Sequence, residues 1–480
     1  VAIDDIQQFI VELEKAGELK RVKSEVDTNL EIAEILRRVS YTKGPAILFE
    51  NVKDYEMPVL GNTFGSIKRL EIGLETSDFS EIGKRIADMT KMEIPSGIFN
   101  KMRKLPELSK MSESFPKLEK SGPVTEIIND SPTFDKIPIL KSWPKDAGKF
   151  ITFGLVSTKH PETGTRNLGV YRIQIIDSTH ALMHWQKHKR GAAHHDITKE
   201  SNDKIDAAII IGGEPATVFS AVAPVPEGLD KYLFAGITRK KGIKTVKCKT
   251  VDLEVPANAE IILEGYVDAA DVRDEGPFGD HTGYYTPKEP FPTFTLTGIM
   301  QRKNPVYLTT VVGKPILEDA YIGKAIERSF LPLIKMLHPE VIDFSMPPAG
   351  WFQGLAIASI KKRYPGQAKK VMMGLWGMGQ LALTKIVIIV DHDINVHDMN
   401  EVIWAVTTRA DAARDTIIID NTPTDTLDPA SPRVNLGSKL GIDATQKTKE
   451  EGFEREIQEM VKVDDNTKKL VDSKWSSYGL

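Results

Sequence analysis

The chain has 480 residues, 41% hydrophobic and 27% charged, and its 63 Lys plus Arg against 67 Asp plus Glu leave a formal charge of −4. That composition excludes intrinsic disorder, collagen and extended coiled coil, and the balanced charge offers no field to hold a nucleic-acid backbone, so no nucleic-acid partner is expected. One cysteine, Cys248, can form no intramolecular disulfide. No apolar run reaches the roughly 18 residues of a membrane span, and the acidic, amphipathic start is unlike a secretory leader, so a cytoplasmic compartment is expected.

Ile6, Phe9, Ile10 and Leu13 recur at helical spacing within Ile3–Leu19, and Leu30, Ile32, Ile35 and Leu36 predict a second helix. Ala46–Glu50, behind Gly44-Pro45, reads as the first strand of an N-terminal α/β domain. Lys101–Pro123 is basic and aperiodic, as a connecting arm would be, which puts a boundary near residue 120. From Ile151 to Arg302 the texture turns β-rich: Thr152–Thr158, Val170–Ile176, Thr245–Val251 and Thr293–Met300 predict strands, with an α/β insertion from Ala207 to Val222. Beyond Gly313, apolar helical and strand-like runs alternate through Ala325–Leu337, Gly354–Ile360, Ala368–Ala382, Lys385–Val390, Met399–Thr408 and Thr416–Ile419, which predicts a parallel βαβ sheet. The charged last thirty residues predict a helical arm. The expected division is 1–120, 121–312 and 313–480.

Several motifs admit ordinary explanations. Gly374, Gly377 and Gly379 are in the wrong order for a dinucleotide fingerprint and fall in a helical pattern. The basic clusters Arg239–Lys249 and Lys361–Lys370 read as solvated faces. Five histidines, at 180, 184, 188, 194 and 195, crowd one stretch. The i, i+4 spacing of His184 and His188 puts both on one helical face, yet spacing fixes no third zinc ligand, which favours a structural role.

Two segments carry more chemistry. In DEGPFGDHTGYY (Asp274 to Tyr285) the Pro and Gly residues exclude a regular helix, so Glu275 and Asp280 can project from one tight loop as paired carboxylates; turns are also rich in these residue types for conformational reasons alone. In RNLGVYRIQ (Arg166 to Gln174) a strand would place Arg172 on one face with Val170 and Gln174, either as an anion clamp or as a surface ion-pairing arginine.

With these segments, GPAILFENVKDYEMPVLGN (44–62), WPKDAG (143–148), LEVPANAEIILEGY (253–266) and TTRADAARDTIIIDNTPTDTLDPASP (407–432) occur in an order that resembles the UbiD family of decarboxylases. The likeness covers nearly the whole chain and looks nearest to the branch acting on 4-hydroxy-3-polyprenylbenzoate in quinone biosynthesis. It implies an α+β and α/β multidomain fold, in which a flavin-binding split β-barrel lies between an N-terminal α/β domain and a C-terminal α/β oligomerisation domain. It also implies prenylated FMN as cofactor, a flavin prenyltransferase as its supplier, and a dimer or hexamer. A lipidic substrate would bring the protein to a membrane surface only peripherally.

Carried over by position, the resemblance implies Arg172, Glu275 and Asp280 as the catalytic set, with Asp280 as proton donor. It implies cofactor contacts from Val170, Tyr171, Arg172, His184, Trp185, Gln186, Lys189, Arg190 and Lys385. A manganese or magnesium ion would bridge to the flavin phosphate through Asn167, His188 and a glutamate, and a potassium ion is implied as a further cofactor. Lys231 occupies the glutamate position, with Asp230 and Glu227 beside it. A protonated lysine cannot ligate a cation but can neutralise a phosphate; a one-residue shift presenting Asp230 is the alternative. The implied reaction breaks a bond whose electron pair no side chain can accept, hence the cofactor. Asp280 would have to hold a proton at neutral pH, which an aspartate in water does in only about one molecule per thousand. A glycosidase using Glu275 and Asp280, or a flavin-binding protein without turnover, are the readings from other classes.

Overall fold

A computed structural model of the chain describes residues 3–90, 112–186, 190–201, 204–225, 229–314, 317–351, 353–456 and 458–479. The first helix is Ile6–Lys15; the Asp5 carboxylate caps it by accepting from the Gln8 amide at 2.7 Å, and Ile6, Phe9, Ile10 and Leu13 face inward as their spacing predicts. The second, Glu31–Tyr41, buries Ile32, Ala33 and Leu36. A small sheet runs in the order Leu19–Val22, Ala46–Phe49, Val59–Gly61, Tyr307–Leu308. Its last strand comes from far along the chain, so the N-terminal segment is tied to the central one by backbone hydrogen bonds. Of the expected arm at Lys101–Pro123, residues 101–111 lie outside the described residues.

The central sheet has, among the described residues, seven strands in the order Ile261–Glu275, Lys204–Ile211, Phe150–Lys159, Arg166–Ile175, His180–Met183, Glu289–Gln301, Ile127–Asn129. All neighbours are antiparallel, and Ile261–Glu275 also pairs with Glu289–Gln301, so the hydrogen bonding returns to the strand where it began. Lys204–Ile211 is covered on both faces, which explains why its Ala207–Ile211 run is apolar without alternation. One apolar cluster extends from Ile3 to Ala325.

Beyond it, the helix Glu318–Leu337 leads to a five-stranded sheet ordered Val341–Ser345, Leu355–Ile360, Ile386–Asp391, Leu436–Ala444, Thr416–Pro423. The inner three strands are parallel, as the alternation predicts, but both outer strands are antiparallel. Each outer strand joins its neighbour through a loop without a crossover helix, and such a connection returns the chain antiparallel. The two faces bury separate clusters, one holding Ala356, Ala358, Val387 and Ile389, the other Ile357, Ile388 and Val390. In the charged tail only Asp465–Lys474 is α-helical, followed by a short 3-10 turn, Trp475–Tyr478. Arg239 departs from the expected solvated face: it is buried, and its guanidinium pairs with Asp4 and, at 3.4 Å, with Glu214.

The helix Ser80–Thr90 crosses Glu318–Leu337 at Gly83, where an added Cβ would come 1.8 Å from the Ser329 carbonyl oxygen. Backbone meets backbone there, and no side chain can yield. Gly83→Ala should therefore force the helices apart and cost about 1–3 kcal/mol, read as a lower denaturant midpoint with an unchanged far-ultraviolet spectrum.

Candidate active site

The strand Arg166–Ile175 and the end of Ile261–Glu275 converge on one cavity. Arg172 donates from Nε and Nη2 to the two Glu275 oxygens at 2.7 and 2.8 Å, a bidentate fork, and from Nη1 to Asp280 Oδ2 at 2.5 Å. Its guanidinium lies 4.7 Å from the centre of the Phe278 ring. Glu275 is fully buried and Asp280 nearly so. Burial opposes charge on both partners of the fork, but their mutual hydrogen bonds prevail. Arg172 is held above its ordinary value, while Glu275, contacted also by His184 Nδ1 at 3.2 Å, is pulled down to about 2. Burial keeps the His184 imidazole below its usual value.

The fork is positioned by local chemistry. Gln174, two residues from Arg172 on the same strand face, accepts the Gly276 amide at 2.7 Å, so alternate residues of one strand grip consecutive residues of the acidic loop. Gly276 has φ +94°, a conformation open to glycine. Phe278–Gly279 pairs with Tyr285–Thr286, which turns the chain back at Asp280. WPKDAG supports the loop from behind: Asp146 accepts the Gly279 amide at 2.8 Å and the Trp143 amide at 2.9 Å, and a Cβ on Gly279 would meet Trp143 at 2.3 Å.

Thr152, Val170, Tyr171, Arg172, His184, Gln186, Phe278, Asp280, His281, Val312 and Leu427 line the cavity, which encloses about 540 Å³ including its open mouth. Of the expected cofactor residues, Val170, Tyr171, Arg172, His184 and Gln186 are thus brought together, with Trp185 next to them. Among the described residues, Trp185 Nε1 and His184 Nε2 are buried without a hydrogen-bond partner, polar edges that suit a heteroaromatic ring bearing donors and acceptors. Tyr171 Oη accepts the Gly191 amide at 3.2 Å, at the start of the helix Arg190–Ser201. Lys385 is not among the lining residues; its Nζ pairs at 3.0 Å with Asp428, the neighbour of Leu427, which does line the cavity. His188 and Lys189 lie outside the described residues, as does the Arg190 side chain. His184 follows the strand His180–Met183 and is not helical, so the single helical face expected for the histidines does not form there.

The metal expectation fares differently. Asn167 is buried, and its Nδ2 has no hydrogen-bond partner among the described residues. Lys231, however, is an ammonium that donates to the Ala221 and Ala223 carbonyls at 2.8 and 3.1 Å. Asp230 does not replace it: its Oδ1 caps the helix Lys231–Arg239 by accepting from Tyr232 and Leu233, and its Oδ2 lies 3.8 Å from Arg166 Nη1. Glu227 lies outside the described residues, and among those described no three His, Cys, Asp or Glu side chains gather as a metal site. Among the described residues, the donor set does not make up a divalent-ion site.

Sequence reasoning missed His281 and Leu427. The ring of His281, beside Asp280 in the chain, pairs through Nδ1 with Asp319 Oδ2 at 2.5 Å, and its Nε2 is 3.8 Å from Asp280 Oδ1. Asp319 heads the helix Glu318–Leu337, so only a contact distant in sequence discloses this pair.

Three family models match: the 3-octaprenyl-4-hydroxybenzoate carboxy-lyase N-terminal domain at residues 10–88, its Rift-related domain at 117–315 and its C-terminal domain at 320–444. An uncharacterized protein of Archaeoglobus fulgidus is 51% identical over 477 residues, 99% of this chain and 98% of the relative. The chain belongs to the UbiD family. Membership makes it a decarboxylase of the prenylated-FMN-dependent class. Among solved structures, the UbiD-class enzyme HmfF of Pelotomaculum thermopropionicum in complex with FMN is similar at TM-score 0.81 and 28% identity, covering 98% of this chain and 99% of its own. The vanillic acid decarboxylase of Sedimentibacter hydroxybenzoicus, in closed form, is similar at TM-score 0.86 and 27% identity, covering 99% of both chains. The mixed α/β multidomain architecture matches theirs. No described helix is long and apolar enough to cross a membrane.

Burial disfavours the His281 charge, but Asp319 outweighs it and, with Asp280 and Asp425, pushes the imidazole up to about 9 from 6.5. A raised folded-state value stabilises the fold fully below pH 6.5, and that contribution is lost as pH rises through about 9. Asp319→Asn should flatten the decline in urea midpoint across this window; equal declines in both proteins would show that another group is responsible.

Proposed function

We propose that the chain removes CO2 without oxidation from an acid whose carboxylate sits on an sp2 carbon, aromatic or alkenyl, with prenylated FMN as cofactor. The observation that supports this most is the Arg172 guanidinium held between Glu275 and Asp280 at the wall of an open cavity. Polyprenylated 4-hydroxybenzoate is one member of the class, supported by the names of the matching family models. The strand pairings that return on themselves in the central sheet are compatible with a split barrel holding the flavin. A homo-oligomer, with a flavin prenyltransferase as supplier, completes the proposal; exposed Val461, Trp475 and Tyr478 give the tail apolar surface for a second copy.

When bound, the cofactor supplies the electron sink that the substrate's own π system cannot offer. The chain's part is electrostatic and geometric. Arg172, Glu275 and Asp280 together carry one net negative charge when all are ionised. A substrate carboxylate reaching Arg172 competes with Asp280 for Nη1, because Glu275 already occupies Nε and Nη2. Displaced inside a buried pocket, Asp280 meets the condition under which a carboxyl takes up a proton, and that proton restores the charge of the set. Arg172 thus holds the carboxylate that will leave as CO2, and Asp280 delivers its proton to the carbon left behind. Phe278 and Val312, both buried, give the pocket wall apolar surface beside the exchange.

Asp280→Asn keeps the shape and removes the acid. It should retain flavin binding and lose about 10²–10⁴ in kcat, measured as CO2 release across a panel of aryl and alkenyl acids by enzyme made alongside a flavin prenyltransferase. Near-normal turnover by the variant would reject Asp280 as donor. Wild-type substrate binding should take up a proton, seen as a buffer-dependent heat in calorimetry.

A further inference from the structure

We infer that His281 is the residue that recharges Asp280 with a proton in each turnover, and that Asp319 holds it in place to do so. The inference rests on the reaction proposed above, which consumes one proton for every CO2 released. Asp280, the donor in that reading, has only 6% of its side chain exposed, so bulk water has little access to it, whereas His281 has 26%. His281 lines the same cavity. Its Nε2 lies 3.8 Å from Asp280 Oδ1, the oxygen opposite the one that Arg172 holds. While Arg172 Nη1 grips Oδ2, that gap is too long for a hydrogen bond; a substrate carboxylate that takes over Nη1 frees the Asp280 side chain to close it.

The ring is fixed from two sides. The His281 amide donates to Asp280 Oδ1 at 2.7 Å, and the Gly283 amide closes the turn on the Asp280 carbonyl at 2.8 Å. Asp319 Oδ1 accepts the Leu317 and Ala320 amides at 3.0 and 3.1 Å, which leaves Oδ2 to face Nδ1 at 2.5 Å. Among the described residues, three carboxylates act on the imidazole, from three segments: Asp280 in its own loop, Asp319 at the helix start, and Asp425 in the loop that carries Leu427. Asp425 accepts the amide of Leu427 at 2.9 Å, so that loop is anchored beside the cavity. Held at about 9, the imidazole is charged across the neutral range and already carries the proton when substrate arrives.

In the transfer, the His281 Nε2–H bond breaks with its electron pair left on nitrogen, and an O–H bond forms on Asp280. Asp280 then gives that proton to the carbon that has lost CO2 and returns to carboxylate. Solvent reprotonates the imidazole, so one proton enters from water per CO2. His281 acts through Asp280 and is a positioning residue: it sets how fast the acid form is restored, not how much of it the pocket favours at equilibrium.

The test is the pH dependence of kcat for CO2 release by enzyme made alongside a flavin prenyltransferase, set beside a magnetic-resonance titration of carbon-13-labelled histidine in the full-length protein. Wild-type kcat should fall as pH rises through about 9, where the His281 resonance titrates. Asp319→Asn removes the main support of the charge and should move the kinetic limb and the resonance to lower pH together. His281→Gln keeps the backbone amide on Asp280; it should lower kcat about a hundredfold with little change in KM, and abolish the limb. A merely structural histidine would not link the limb to its own titration. Wild-type kcat that stays level through this range overturns the inference and needs no variant to fold. Near-normal kcat in His281→Gln, or a limb that Asp319→Asn leaves in place, also overturns it. CO2 release by the wild type keeps the decarboxylase reading in each of those cases, whereas no release across the acid panel overturns both.

Discussion

The site is organised by the Arg172 guanidinium, a planar donor with two buried carboxylates to satisfy. A cation removed from water costs several kcal/mol unless its donors are met, and a fully buried Glu275 carries the same requirement in reverse. The fork therefore demands a rigid frame: two strands, Arg166–Ile175 and Ile261–Glu275, brought into one hydrogen-bonded system, and a loop turned back to present Asp280. Removing Arg172 or Glu275 leaves the other a buried charge without its main partner, whereas loss of Asp280 leaves the bidentate pair in place. That mutual dependence makes the arrangement responsive to an added anion.

The surrounding elements serve this constraint from three directions. WPKDAG holds the amide of Gly279 and packs an indole where a side chain on that glycine would otherwise stand. The helix Glu318–Leu337 works at its first turn. Glu318, buried and pushed up to about 7 by desolvation, accepts the Phe64 amide from the N-terminal segment, while Asp319 holds His281 beside the site. Leu427, from the loop before the last strand, lines the cavity, and its neighbour Asp428 pairs with Lys385. Lys439 steadies the same region by donating to the carbonyls of Ala382, Thr384 and Pro423 at 2.6, 3.2 and 2.8 Å. Segments remote in sequence thus set the position of a few side-chain atoms.

Lys231 and Arg239 show how charge is reused inside the fold. Each lies in a stretch whose pattern suggests an exposed or ion-bound cation, and each instead meets oxygen atoms within the chain, the first on backbone carbonyls, the second between Asp4 and Glu214. Lysine and arginine carry several donors on long stems, so one side chain can satisfy acceptors on separate segments.

The sequence by itself determined many of the elements and put forward Arg172, Glu275 and Asp280 as candidates, without His281. Apolar spacing fixes the faces of Ile6–Lys15 and Glu31–Tyr41, because a helix must bury one stripe, and the Gly and Pro of EGPFGD exclude a helix around Glu275 and Asp280. Tertiary structure alone decided that Arg172 reaches both carboxylates, that His281 meets Asp319, that Asp230 is spent on a helix cap, and that the outer strands of the last sheet run antiparallel. The physical reason is range. Periodicity and turn chemistry act over a few residues and can be read locally, whereas ion pairs and burial depend on which distant segments share a core, and no local pattern encodes that choice.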